Sequence, residues 1–240
     1  MTRDNLKNAE RDLHRLFRRY GLTTPVPINL HTFGLVGVRL IPVKGWFQYL
    51  LGHFSHLLLG GFKLSDPKAG LLLQSFWETY RNANADHWVF QHHDLELDKC
   101  VPFYVHLDEG TGQRKSAVLV FNIQAFWGQE TAERFEALFA EGLGRGHNDV
   151  MGYMVSAQMH NQRGSSLLSR FLYTIVPKKV YTKKFAYVYD RILDKLASEI
   201  CALASEGVDG MFPICLGVKG DAPALAKAGH LTRTFQTLDL

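Results

Sequence analysis

Two spacings of apolar residues divide the chain. Before about residue 97 most apolar positions recur at helical intervals, as Leu13 and Phe17 do in a charged N-terminal segment. From Cys100 onward, short runs of β-branched and aromatic residues alternate with glycine-rich or polar turns. We therefore predict a mostly helical N-terminal subdomain over residues 1–97 and a strand-containing unit over residues 98–240.

The N-terminal part contains two further helical patterns. The apolar run from Trp46 predicts a helix that Gly60 ends. A second helix is predicted to begin at Ser65 or Asp66, with Pro67 in its first turn and an apolar face of leucine and aromatic residues. The intervening stretch HTFGLVGVRLIPV fits either a short strand or an extended loop.

The second unit has a recognisable order of elements. The runs VPFYVHL, SAVLVFNI and SRFLYTIVP predict three strands, of which the first two form an antiparallel pair. An insertion at about 125–166, with a helix over Thr131–Ala140, separates the second strand from the third. A helix ending at Gly207, a fourth strand FPICLGV and a helix capped by Asp221 follow. We predict an α+β fold whose second unit has the element order of a ribonuclease H-like core, with the fourth strand parallel to the first.

Composition limits the class of protein. The 240 residues are 46% hydrophobic and 21% charged, which is typical of a folded globular chain, and the formal charge of +4 permits an anionic partner. The three cysteines are far apart in apolar surroundings, so we predict buried, reduced thiols and a nuclear or cytoplasmic protein that is not secreted. No apolar run reaches the roughly 20 residues of a membrane span, so no membrane association is expected.

Two aspartates are candidates for chemistry. Asp108 ends the first predicted strand and Asp221 ends the fourth. Adjacent strands would bring their carboxylates together, and such oxygen ligands suit Mg²⁺ in a two-metal site for phosphoryl transfer, with Glu109 as an additional ligand. The alternative is structural, because Asp108 before Gly110 is also typical of a turn and Asp221 of a helix N-cap.

Two other clusters have competing interpretations. The segment PKKVYTKKFAY alternates lysine pairs with aromatic residues, which suits nucleic-acid binding or a solvated loop. The group of His87, His92 and His93 could hold a metal, but zinc needs about four well-placed ligands and only Cys100 is a nearby cysteine, so a structural role is favoured.

Several segments resemble the catalytic domain of Plavaka and CACTA (EnSpm-like) cut-and-paste DNA transposases. The matching segments are YVHLDEGTGQRKSAVLVFNIQ, LLSRFLYTIVPKKVY and CLGVKGDAPALAKAGHL. FWETYRNANADHWVF extends the similarity to protist protein families that look derived from such elements. The resemblance covers roughly residues 64–231 in order.

The resemblance implies a transposase-derived, DNA-associated protein with a ribonuclease H-like fold. Asp108 and Asp221 align with the first two acids of a DDE or DDD triad, and two Mg²⁺ ions would be bound in an intact relative. The third acid would lie well beyond Asp221, so a truncated and inactive core is expected. The implied DNA-contacting residues are Lys178, Lys179, Lys183 and Lys184, with the basic pair Arg114 and Lys115 in the hairpin turn.

A different class of function also fits the sequence. The chain could be a non-catalytic nucleic-acid-binding or protein-interaction domain that retains the fold without the chemistry. A third alternative is an unrelated α/β fold in which the two aspartates lie far apart. DNA is the expected partner, a homodimer is compatible with the sequence, and no small-molecule cofactor is expected.

Overall fold

The computed structural model describes residues 26–111, 117–128, 131–140 and 169–230, together with Asp12, Arg15 and Arg19. Most of the predicted first helix, the basic pair Arg114 and Lys115 and most of the predicted insertion lie outside these residues. The described strands are β1 (Asn29–Phe33), β2 (Val36–Leu40), β3 (Cys100–Thr111), β4 (Ala117–Ala125), β5 (Arg170–Pro177) and β6 (Phe212–Gly220). The described α-helices are α1 (Val43–His53), α2 (Pro67–Ala83), α3 (Val89–His92), α4 (Thr131–Ala140), α5 (Tyr187–Glu206) and α6 (Ala222–Ala228).

The architecture mixes helices with a four-stranded sheet and is compatible with the α+β class. The strand order is β5-β4-β3-β6. The pairs β3–β4 and β4–β5 are antiparallel, whereas β3 and β6 are parallel. The predicted order of three antiparallel strands, a helix, a parallel fourth strand and a helix is confirmed.

One face of the sheet is covered by α5. Along β3 the odd-numbered positions from Val101 to Leu107 are buried, and they belong to the same face as Phe121 of β4, which lies opposite Leu107. The ring of Tyr189 on α5 packs against Phe121, with centroids 6.0 Å apart. The buried residues of α5 are Val188, Tyr189, Ile192, Leu196, Leu203 and Ala204.

The residues before β3 share this core. Trp77 of α2 is fully buried and donates its indole N–H to the Cys100 carbonyl at 2.8 Å. Trp46 of α1 donates in the same way to the Leu172 carbonyl on β5 at 2.7 Å. The predicted N-terminal subdomain therefore packs directly on the sheet, through hydrogen bonds and apolar contacts.

The stretch that the sequence left open is a β-hairpin. β1 and β2 pair antiparallel around Gly34, whose φ of 60° lies in the left-handed region. The chain leaving β2 lies along the edge of β5, where the Ile41 N–H donates to the Tyr173 carbonyl at 2.9 Å. The hairpin thus covers one edge of the four-stranded sheet.

Helix boundaries in the N-terminal part differ from the prediction. The helix expected from Trp46 to Gly60 begins at Val43 and ends at His53, and the chain then turns through a 3₁₀ segment at Ser55–Leu57. In α2, Asp66 caps the helix as predicted by accepting the Lys68 N–H. The sequence pattern placed Leu71 on the apolar face of α2. In the structure Leu71 is 43% exposed and Leu73 is buried, so the buried face is rotated from the predicted one.

The prediction of buried cysteines is wrong in part. Cys100 is buried and Cys215 is half-buried, but Cys201 is exposed because it lies on the polar side of α5. Trp46, Trp77 and Trp127 are buried, whereas Trp88 is 38% exposed where the chain enters α3.

A glycine sets the distance between β3 and β6 at the end of their pairing. A β-carbon added to Gly220 would lie 2.5 Å from the Leu107 carbonyl oxygen, whereas one added to Gly110 would have no atom within 4 Å. We expect Gly220→Ala to lower the free energy of unfolding by about 1–3 kcal/mol through overpacking. Gly110→Ala is the matched control and should change it by less than about 0.5 kcal/mol. Urea denaturation measures both, and equal effects would contradict the close approach of the two strands.

Candidate functional site

The register of β3 and β6 brings the backbones of Asp108 and Asp221 to the same end of the sheet. The parallel register ends with Leu107 opposite Gly220, so the next residue of each strand is an aspartate. Neighbouring strands are about 4.8 Å apart, which places the two side chains at the same edge. Both aspartates are exposed to solvent.

Asp221 is also a helix cap, as the structural interpretation predicted. Its Oδ1 accepts the Ala224 N–H at 2.8 Å at the start of α6. This bond fixes the orientation of the carboxylate and leaves Oδ2 available to another partner. The capping role and a role in binding are therefore compatible.

Asp108 lies within a strand and not in the turn. β3 continues to Thr111, and Asp108 is paired with Val120 of β4. The pairing with β4 fixes the backbone of Asp108, whereas the pairing with β6 ends one residue earlier, at Leu107. The turn interpretation of Asp108 is therefore wrong.

His106 experiences both carboxylates. Burial lowers the pKa of His106, the nearby positive charge of Arg170 lowers it further, and Asp108 and Asp221 each oppose this shift. Both carboxylates therefore act on the same imidazole, which is consistent with the register of β3 and β6.

Glu109 is held on the other face of the sheet. Successive side chains of a strand point to opposite faces, and the Glu109 Oε1 accepts from Lys178 Nζ at 2.6 Å. The Glu109 charge also contributes, after burial, to raising the pKa of Tyr181 to about 12. The structure thus pairs Glu109 with a lysine and does not bring it to the two aspartates.

The predicted DNA-contacting lysines differ in their surroundings. Lys178 is engaged with Glu109, while Lys179 and Lys184 are exposed. The Lys184 ammonium lies 4.9 Å from the centroid of the Phe185 ring. Arg114, Lys115 and the side chain of Lys183 lie outside the described residues.

Three basic side chains that the sequence reasoning did not single out lie on the same face as Asp108. Lys219 of β6 is opposite His106 in the parallel register, and Arg170 begins β5. The Lys219 Nζ lies 3.5 Å from the centroid of the Tyr104 ring. The sequence contains a local pattern that points to two of these basic residues. His106 and Lys219 each lie two positions before an aspartate, in HLD and in KGD.

The three histidines around α3 are separated from this edge. His93 is buried, with Nε2 3.0 Å from the Ala204 carbonyl and its ring 4.5 Å from that of Phe212. His87 packs between the rings of Trp77 and Tyr80. Within the described ranges, no three His, Cys, Asp or Glu side chains form a group that could hold a metal ion.

Comparison with known proteins identifies no relative: no family model, curated protein or solved structure matches the chain. In the described part of the chain, no helix is both long and apolar enough to cross a membrane.

The capping bond allows the charge of Asp221 to be removed without unfolding the site. Asparagine caps helices about as well as aspartate, so we expect Asp221→Asn to leave the free energy of unfolding close to that of the wild type. Asp221→Ala should lower it by about 1 kcal/mol, because the Ala224 N–H loses its acceptor. Thermal or urea denaturation distinguishes the two variants, and an equal loss in both would contradict the cap.

Proposed function

We propose that the chain is a nucleic-acid-associated protein with a ribonuclease H-like core, derived from a DDE-type DNA transposase. In this proposal Asp108 and Asp221 bind a divalent cation at the end of β3 and β6. The class of chemistry is phosphoryl transfer on DNA. The third acid of a complete triad is not needed for the binding functions proposed here.

The observation that supports this function most directly is the register of β3 and β6. Two aspartates that are 113 positions apart in sequence follow directly after the last paired residues, Leu107 and Gly220. The strand order β5-β4-β3-β6, with only the last pair parallel, also fits the fold expected from the transposase resemblance.

The donor atoms fit one hydrated Mg²⁺. This ion prefers oxygen ligands and is commonly held by one or two carboxylates, with water and substrate phosphate in its other positions. Asp108 and the free Oδ2 of Asp221 would supply the two carboxylate ligands. When bound, the cation would polarise a phosphoryl oxygen and offset its negative charge. Glu109 is paired with Lys178, so we propose a one-ion site instead of the two-metal site.

The protein's own contribution is to orient the acids. The cap bond from Ala224 holds Asp221, and strand pairing with β4 positions the backbone of Asp108 directly after the last residue that pairs with β6. Both carboxylates are exposed, so a large polyanion can approach them without a conformational change.

Cation binding tests the role of the acid pair. We expect Mn²⁺, a paramagnetic substitute for Mg²⁺, to bind the wild-type protein, and Asp108→Asn or Asp221→Asn to weaken this binding at least tenfold because each removes a ligand. Electron paramagnetic resonance of free Mn²⁺ during titration measures the affinity. Glu109→Gln is the matched control and should bind like the wild type. If Mn²⁺ does not bind, or if Glu109→Gln is affected as strongly as the aspartate variants, the cation site is wrong.

DNA binding separates the two classes of function. We expect the wild type to bind a short DNA duplex in EDTA, with an affinity that falls as salt rises, because phosphate contacts release counterions. Asp108→Asn should bind at least as well, since it removes a negative charge near the polyanion. Fluorescence anisotropy measures the affinity.

Cleavage of supercoiled plasmid in Mg²⁺ then decides whether the chemistry is retained. Cleavage that disappears in both aspartate variants would identify a nuclease. DNA binding without cleavage would identify the non-catalytic alternative, and failure of the wild type to bind DNA would contradict both.

A further inference from the structure

The open face of the sheet carries a group of basic side chains next to the acid pair. Arg170 is on β5, His106 on β3 and Lys219 on β6, and we call these three residues the basic cluster. His106 and Lys219 are directly opposite each other, and Asp108 is two residues beyond His106, which is about 7 Å along the strand. The cluster and the acid pair are thus parts of one continuous surface.

The cations of the basic cluster lack acidic partners. Lys44, Lys68, Lys178 and Lys195 each form an ion pair with a glutamate. The side chains of Arg170 and Lys219 form no ion pair or hydrogen bond with any residue of the described ranges. Lys219 instead lies over the face of Tyr104.

His106 has a comparable unmet requirement. Its Nδ1 is buried and has no hydrogen-bond partner within the described part of the chain. Buried polar atoms are usually paired, and a lone one is costly. Because Nδ1 is covered in the unbound protein, a ligand with oxygen acceptors would satisfy this atom after a rotation of the imidazole ring.

The three groups are close enough to interact electrically. After burial, the positive charge of Arg170 is the largest cause that lowers the pKa of His106, and it also lowers the pKa of Lys219. Arg170 and Lys219 are both positively charged, and like charges brought together without a counter-ion raise the free energy of the unbound protein. An anion placed between them would relieve this repulsion.

We propose that Arg170, Lys219 and His106 bind a phosphate group of the DNA backbone and so position the strand beside Asp108 and Asp221. This inference rests on the proposed function, because the acid pair and the basic cluster would contact the same nucleic acid. Arginine and lysine are the usual phosphate-contacting residues, and such contacts position DNA without reading its sequence.

The surroundings favour a polymer over a small anion. The basic cluster lies on an open sheet face, where Ile175 of β5 is 52% exposed. Enclosed sites usually bind small ligands, whereas an extended, exposed surface with adjacent cations suits a phosphate backbone. The basic cluster is a separate proposed DNA contact from the Lys178–Lys184 segment. The first lysine of that segment, Lys178, is already paired with Glu109.

The salt dependence of DNA binding tests the basic cluster. We expect Arg170→Gln and Lys219→Gln each to reduce the slope of log affinity against log salt by about one, because each removes one phosphate contact. Lys63→Gln is the control, since it removes one exposed positive charge from the loop before α2. Its slope should equal that of the wild type. Lys219→Arg keeps the charge and should restore the wild-type slope, which excludes a loss that comes only from altered packing on Tyr104.

Three outcomes distinguish this inference from the proposed function. A reduced slope in both glutamine variants, with retained Mn²⁺ binding and unchanged thermal denaturation, supports the basic cluster. If both glutamine variants keep the wild-type slope of log affinity against log salt while DNA still binds, the basic cluster is overturned. If the slope falls in Lys179→Gln and Lys184→Gln instead, the phosphate contact belongs to the Lys178–Lys184 segment. No DNA binding by the wild type overturns the proposed function as well.

Discussion

The parallel pairing of β3 with β6 is the constraint on which the rest of the arrangement depends. It joins residues 100–107 to residues 212–220, and α5 covers the face between them. The pairing determines which residue of one strand lies opposite which residue of the other. A shift of one residue would turn Leu107 away from the core and separate Asp108 from Asp221. The hydrophobic core therefore also fixes the relative position of the two acids.

The same register organises charges of opposite sign. Along each of the two strands a basic residue precedes the aspartate by one full pleat, so His106 and Lys219 form one row and the acids form the next. Glu109 is excluded from both rows because it projects to the opposite face and is neutralised by Lys178. A surface with separate basic and acidic rows can attract a polyanion with one row and a cation with the other.

Much of the local structure could be predicted because its signals are local. The cap at Asp66 followed by Pro67 and the cap at Asp221 each lie within a few residues of the helix that they begin. The order of β3 to α6 also followed from the change in apolar spacing. The hairpin of β1 and β2 could not be distinguished from an extended loop because it is short and contains glycine, and because β2 also contacts β5.

The candidate site was only partly predictable for a related reason. The adjacency of the two aspartates depends on the strand order, in which the first and fourth strands of the sheet are neighbours, as the element order predicted. The position of Glu109 depended on an ion pair with a residue 69 positions away, and the contribution of Arg170 depended on two intervening strands. Contacts of this kind are set by tertiary structure and produce no recognisable residue pattern in the sequence. The twofold repeat of a basic residue before each aspartate was the one local signal that pointed to the basic cluster.

The two outer strands of the sheet differ in how they are protected. The chain after the hairpin lies along β5, but in the described ranges no strand pairs with the outer edge of β6. An uncovered edge offers free backbone donors and acceptors to other chains and promotes aggregation. The pairing of β6 is irregular near Gly217, whose φ is 153°, and Lys219 adds a charge close by. Irregular geometry and lysine are both common means of discouraging association between edges. Lys219 would therefore have two effects in one molecule, since the charge available to a phosphate also opposes the addition of a foreign strand.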